Sequence, residues 1–385
     1  MYRRPYLQIP GPTNIPEPVQ NALNHAAINH RGEQFASLLA GNVRGLQSIF
    51  QTENDILIFP ASGSGGLEAT VVNLLSPGDK VVGVNMGVFS QRLGQIARNF
   101  GADVTMLDVE WGTAVTAEDY RSVLERDSQH EYKAVFVTHN ETATGVTVDV
   151  ASIRQLLDEL QHPALLIVDA VSSLAIADLP TDALRIDAVV SASQKGLMLP
   201  GGLAMISVSP KAWQAHQQST MPKWYWNFTS LKKRMADGQM PYTPAISLFF
   251  GLKVSLQLLA EEGLANVFLR HRRNAMAMRA GIRALGLELL VKEEAAQSAA
   301  VTAVLLPTGI AYPVLAKAME RLGIVIGGGL DKLQGRIFRV GHLGMLHEME
   351  VVAVLGGLEM SLHELGYPVQ LGSATGAAMQ SYLSH

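Results

Sequence analysis

Two short segments carry side chains that could act together on a small molecule. Leu165-Leu166-Ile167-Val168-Asp169 is an apolar, strand-like run that delivers a carboxylate at its C-terminal end. Ligands of open α/β sheets bind outside those strand ends. Asp169 is therefore either a turn cap or a group that pairs with a cationic ring N–H such as a pyridinium. In the second segment, Asp187-Ala188-Val189-Val190 runs into Ser191-Ala192-Ser193-Gln194 and then a lysine, Lys195. A lysine after a strand ordinarily serves solubility. Here the small neighbours leave room for a carbonyl compound to form a Schiff base on the amine, which could later carry a proton. Asp169 and Lys195 lie 26 residues apart, enough for a turn, an excursion and the return of one strand to the same edge.

A third segment, Ala61-Ser62-Gly63-Ser64-Gly65-Gly66-Leu67-Glu68, follows one strand-like run and opens a helix-like one. The free N–H groups of such a turn, the helix dipole and the serine hydroxyls suit a phosphate dianion. A glycine turn with a serine N-cap is the plainer reading. A dinucleotide site is the other competitor, but it expects a ribose-binding acid about 20 residues on. That place reads Val84-Asn85-Met86-Gly87, without an acid.

The elements that must position these groups follow from periodicity. Short runs rich in Val, Ile and Leu recur at 56–59, 80–84, 104–107, 134–138, 164–168 and 187–191. Helix-like stretches at 62–75, 89–100, 116–126 and 150–160 separate them, with turn signals such as Ser76-Pro77-Gly78-Asp79 between. Apolar strands spaced this way predict a mainly parallel sheet covered on both faces. After Pro244 long helical periodicity runs to about Leu285, followed by strands at 302–306, 324–326 and 337–340 and a last helix at 347–365 ended by Gly366-Tyr367-Pro368. This predicts an α/β large domain plus a smaller α+β domain: an arm over 1–20, a large domain over 21–258 and a small one over 259–385. The stretch 221–241, with Trp224, Tyr225 and Trp226, reads as an irregular excursion that covers either core, site or subunit contact.

Composition narrows the chemistry. The 385 residues include no cysteine, which excludes disulfides, thiolate nucleophiles and thiolate-held metals. Only 17% are charged and the formal net charge is -4, which argues against nucleic acid as the main partner. No run approaches transmembrane length, the first ten residues lack a signal-peptide core, and the last three do not read as a peroxisomal address. A cytoplasmic location away from membranes is the expectation. No pattern of metal ligands or Ser-His-Asp hydrolysis is present, so no metal is expected; His342 and His347 read as surface or capping residues. Lys232-Lys233-Arg234 and Arg270-His271-Arg272-Arg273 read as solvated helix faces.

Nearly the full length resembles the class V, fold-type-I aminotransferases, most closely their serine–glyoxylate and alanine–glyoxylate branch. The resemblance is carried by Pro10-Gly11-Pro12-Thr13-Asn14-Ile15-Pro16, by His139-Asn140-Glu141-Thr142-Ala143-Thr144-Gly145-Val146-Thr147, by the Asp169 strand and by Ser193-Gln194-Lys195. Pro241-Tyr242-Thr243-Pro244 and Phe338-Arg339-Val340-Gly341-His342-Leu343-Gly344 add to it. It implies a pyridoxal-phosphate enzyme of amino and keto acids, with a seven-stranded large domain and shared sites in a homodimer. Lys195 would form the imine, Asp169 meet the pyridine nitrogen, Phe89 stack on the ring and Thr142 bond the ring hydroxyl. Ser64, Gly65, Gly66 and Gln194 would hold the phosphate, with Tyr242 and Thr243 reaching it from the neighbouring subunit. Arg339 would grip the substrate carboxylate, and His30 and Arg31 fall in a substrate-contact segment where plant relatives have tyrosine before the arginine.

Three rivals remain open. A cysteine desulfurase needs a thiol that is lacking here. Another transaminase, using pyruvate, ureidoglycine or aminoethylphosphonate, would keep the cofactor site and change the substrate pocket. A catalytically silent subunit would keep only the fold.

Overall fold

A computed structural model describes residues 5–384, so the first four residues of the expected arm lie outside the described residues. Seven strands form the main sheet, in the order Asp55–Phe59, Ala204–Val208, Ala188–Ala192, Leu165–Asp169, Tyr132–Thr138, Lys80–Asn85 and Asp103–Asp108. Ala204–Val208 runs antiparallel to both its neighbours, and the other pairings are parallel. Asp55–Phe59 and Ala188–Ala192 are both antiparallel to it and so point the same way. Asp169, Lys195 and the turn after Phe59 consequently emerge at one edge of the sheet.

The three strands nearest that edge's chemistry, Leu165–Asp169, Ala188–Ala192 and Ala204–Val208, are buried at every residue, so both sheet faces are covered. Each buried Val, Ile or Leu side chain contributes roughly 1.5–3 kcal/mol against exposure. Such strands make a stiff floor for the turns at their ends. The helix Gly63–Leu74 packs on Ala188–Ala192 at close range: a Cβ on Gly66 would fall 2.9 Å from Val190 and one on Gly63 2.7 Å from Val171.

A second sheet orders Tyr6–Gln8, Ile324–Gly328, Ile337–Gly341 and Val301–Leu305. Tyr6–Gln8 joins parallel to Ile324–Gly328, so the N-terminal segment is a strand of the smaller sheet. A separate apolar cluster, including Met278, Leu315, Phe338 and Leu355, fills that part of the molecule.

Several sequence expectations need correction. The strand Ala204–Val208 was missing from them, since its short apolar run follows a glycine pair without a helix between. The stretch 221–241 contains the helix Phe228–Ala236, capped by the Asn227 side chain on Ser230 N–H. The helix Glu348–Glu364 does end before Gly366, at φ 79°, but a further helix, Ser373–Ser384, packs back on Leu264–Ala284. His342 is fully buried, its ring bonded to Thr302 Oγ1 at 2.9 Å and to the Ala299 carbonyl. His271 is buried too and accepts from Gly344 N–H, while Arg270 pairs with Glu262. His271 and His342 face the interior because other elements pack over the helix and the strand end that carry them, whereas Arg272 and the run Lys232-Lys233-Arg234 are exposed as expected. His347 stands at the N-cap of its helix, where its N–H donates to Glu350 Oε2 at 2.8 Å.

Candidate active site

At the shared sheet edge Asp169, Lys195, Ser64, Phe89, Thr142 and Gln194 line one cavity of about 220 Å³. A larger cleft of about 590 Å³ between Gly286 and Pro368 has one charged lining side chain, Glu288, and lacks any such convergence of groups. The smaller cavity is the chemically equipped one.

Asp169 Oδ1 accepts from Val171 N–H at 2.9 Å, and burial pushes this carboxyl up to about 7. Lys195 stands in the turn after Ala188–Ala192. Burial, followed by the charge of Arg339, holds its amine down at about 8, against the attraction of Asp169. An amine so poised is neutral in part near pH 8 and can act as a nucleophile or base. Lys195 Nζ donates to the Pro10 carbonyl, and the arm is fastened there by Thr13 N–H on the Gln194 carbonyl at 3.2 Å and Thr13 Oγ1 on the Lys195 carbonyl at 3.3 Å.

The cavity's other end is the first turn of Gly63–Leu74, where no side chain caps the N–H groups. Ser64 Oγ accepts from Arg92 Nη1 at 3.1 Å, and the Arg92 guanidinium lies 4.9 Å from the Phe89 ring centre. Gln194 Oε1 is buried and has no hydrogen-bond partner among the described residues. Gly65 and Gly66 belong to the same turn but do not line the cavity, whereas Gly63 does.

On a third side Thr142 Oγ1 donates to Ser172 Oγ at 2.7 Å, and Ser172 in turn donates to the Asn140 carbonyl at 2.9 Å. Arg339 is 7% exposed and does not line the cavity. It reaches the rim through Nη1 on the Thr142 carbonyl at 2.9 Å, while Nε donates to the Gly328 carbonyl at 2.8 Å. Among the described residues, one N–H on Nη1 and both on Nη2 have no hydrogen-bond partner.

Four expected site residues stand elsewhere within the chain. Tyr242 stacks on Tyr225 at 4.7 Å and on Trp224 at 5.3 Å, in an aromatic cluster away from the cavity, and Thr243 is exposed. His30 is half-buried, and Arg31 donates to Gln239 Oε1 at 3.0 Å. Among the described residues no group of three His, Asp or Glu is placed to hold a metal ion.

The family profile of aminotransferase class-V matches residues 6–340. The chain belongs to the class-V aminotransferases. It is 43% identical to the serine–glyoxylate aminotransferase of Hyphomicrobium methylovorum, over 98% of this chain and 94% of that one. It is 39% identical to the L-aspartate–glyoxylate aminotransferase of Paracoccus denitrificans, over 97% and 95%. The crystal structure of ureidoglycine–glyoxylate aminotransferase from Bacillus subtilis superposes with a TM-score of 0.92 at 27% identity, covering 100% of this chain and 99% of that chain.

Three groups of this aminotransferase's site escaped the sequence reading. Arg92 lies one helical turn beyond Phe89, and that spacing placed it on the same face. Ser172 sits three residues after Asp169, in the turn that the strand end predicts. Glu141 is fully buried and accepts from the N–H groups of Phe89 at 3.1 Å, Ser90 at 2.8 Å and Ala143 at 3.0 Å. Burial raises its carboxyl, and those donors oppose the shift. A glycine at the N-cap of Val88–Asn99 was the available signal, since such a helix start needs an acceptor from elsewhere.

Proposed function

We propose that this aminotransferase binds pyridoxal phosphate in the Lys195 cavity and passes the amino group of serine or alanine to glyoxylate, giving glycine and hydroxypyruvate or pyruvate. The observation that carries the reading is one cavity with a buried amine, a buried carboxyl and an uncapped helix N-terminus on its walls. The partnerless amide oxygen of Gln194 and the free first-turn N–H groups fit a phosphate, with the Gln194 amide turned to donate. Once bound, the cofactor supplies an electron sink that makes the substrate Cα–H acidic. The names of the relatives at 39% and 43% identity support glyoxylate as acceptor.

In this reading Lys195 Nζ would hold the cofactor covalently at rest and, once the amino donor has freed it, would serve as the general base and acid for the Cα proton. Asp169, ionised against a ring N–H, keeps the ring cationic. Phe89 covers one ring face, and Thr142 meets the ring hydroxyl. Ser64, Gly65, Gly66 and Gln194 hold the phosphate, and Arg92 adds a positive charge beside Ser64. Arg339 turns its Nη1–Nη2 edge to the carboxylate of donor and acceptor alike, so both half-reactions use one site in turn. Residues 1–20, 21–258 and 259–385 act as arm, large domain and small domain.

The exposed Trp224 and Tyr225, stacked on half-buried Tyr242 with exposed Thr243 next in sequence, suit contact with a second copy of the chain. A cytoplasmic homodimer with Tyr242 and Thr243 facing the partner's phosphate is the assembly this reading carries. His30 and Arg31 are its candidates for substrate contact. Initial rates with a matrix of serine, alanine and aspartate against glyoxylate and pyruvate test it. Serine or alanine with glyoxylate should be fastest, and a clear preference for aspartate would replace the donor assignment.

A further inference from the structure

The helix Val88–Asn99 carries Phe89 and Arg92 into the cavity, yet its N-cap, Gly87, has no side chain with which to satisfy the first N–H groups. A serine, threonine, asparagine or aspartate at that position would ordinarily do so. Gly87 is extended at φ 170°, a conformation open to any residue, so backbone freedom is not why glycine stands there. Space is: a Cβ on Gly87 would lie 2.3 Å from Glu141 Cδ. The Glu141 side chain occupies that room and caps the helix from outside, through Oε2 on Phe89 and Ser90 N–H, while Oε1 holds Ala143 N–H in its own hairpin.

This arrangement is costly for capping alone. Glu141 is fully buried, and no ion pair reaches it among the described residues. With no cation in contact, its hydrogen bonds and the more distant charge of Arg339 are what offset its loss of water. What it gains is a rigid connection, because the hairpin of Asn140–Glu141 and Val146–Thr147 also carries the cavity's other contacts. The next residue, Thr142, gives its hydroxyl to Ser172 and its carbonyl to Arg339. One side chain thus joins the helix bearing the ring to the loop that orients the guanidinium.

We propose that Glu141 is a positioning residue, capping the Phe89 helix from the Asn140–Thr142 hairpin so that the ring-stacking face and the Arg339 anchor are held in register across the cavity. The inference rests on the cofactor reading above. Glutamine at 141 would keep the shape but has one acceptor oxygen, so its NH2 group must face a backbone N–H on one side. Leaving a buried N–H unpaired costs enough to change an equilibrium by about tenfold.

The test is titration of cofactor-stripped protein with pyridoxal phosphate, followed by absorbance and induced circular dichroism, beside thermal melts and KM for the amino donor. Glu141→Gln should bind the cofactor about tenfold more weakly, with an altered dichroic band and a raised donor KM. Gly87→Ala, which displaces the carboxylate without removing it, should change affinity and dichroism in the same direction, and should add little in a Glu141→Gly background. If the melts fall while affinity, dichroism and KM match the parent, Glu141 is a structural cap only and the proposal fails. Should one variant not fold, the other decides by the same readouts; independent, additive effects of the two would also overturn it. A parent chain that takes up no pyridoxal phosphate would overturn the cofactor reading and this inference together, an outcome distinct from unaltered variants of a binding parent.

Discussion

Gly11 and Lys195 are in such close approach that a Cβ on Gly11 would fall 2.5 Å from Lys195 Nζ. Gly11 also has φ 125°, which L side chains rarely adopt. The arm therefore presses its backbone against the amine through the one residue that allows it. Gly11→Ala should cost about 1–3 kcal/mol of stability through backbone strain. It should also lower kcat at temperatures where the variant stays folded, because the lysine terminus must move aside. A variant with reduced Tm and the parent's kcat would remove the arm from any part in placing Lys195.

Borohydride treatment of the loaded protein should attach pyridoxal phosphate covalently, and peptide mapping should find it on Lys195. Lys195→Ala should then lose turnover while still binding the cofactor, since the phosphate contacts belong to other residues. Attachment to a different lysine would refute the assignment.

Asp169 titrates far from its ordinary value, and the sign of its effect on stability follows. Burial raises its carboxyl from 3.8 to about 7, so between those values the folded protein binds more protons than the unfolded chain. Stability from this group is lost as pH rises through that window, and the cost is complete above it. Lys195 is the opposite case: lowered from 10.5 to about 8, it costs most below 8 and the cost fades toward 10.5. In cofactor-free protein Asp169→Asn should therefore gain stability relative to the parent as pH rises from about 4 to about 7, by up to a few kcal/mol. Urea melts across that range measure it. A difference that does not change with pH would mean that Asp169 is not held in its protonated form.

How far these features are legible in the sequence depends on whether they are local. Asp169 and Lys195 could be read because each ends an apolar strand, and parallel strands bring such ends to one edge. The glycine turn at 62–66 was likewise visible as a strand-to-helix junction. Gly66 also packs closely against Val190, a need for glycine that spacing alone does not distinguish from phosphate contact. Glu141 was not legible, since its partners lie about 50 residues away and its burial follows from a missing cap on another helix. His342 and His271 were misread for a related reason: a histidine's burial is decided by what packs over its element, here the two sheets and the C-terminal helices. The strand Tyr6–Gln8 is three residues long and gains its partner, Ile324–Gly328, from the far end of the chain.

Arg339 offers the most discriminating mutation. Two of its N–H groups are committed to the Gly328 and Thr142 carbonyls, which fix the guanidinium plane and leave one Nη1 and two Nη2 N–H groups for a carboxylate. Lysine could replace the charge but not both the anchoring bonds and the two-donor edge. Losing that contact in a partly desolvated site should cost roughly 2–4 kcal/mol of transition-state stabilisation, about 30-fold to 1,000-fold in kcat/KM. Arg339→Lys should therefore fail with serine, alanine and glyoxylate together, because one guanidinium meets the carboxylate of each. Cofactor absorbance should persist, since the groups assigned to the ring and phosphate are elsewhere in the cavity. Steady-state kinetics with each substrate, beside the absorption spectrum, check both halves. Near-normal efficiency with all three substrates would remove Arg339 from the carboxylate role, and loss of the chromophore instead would make it a support of the cofactor site through Thr142.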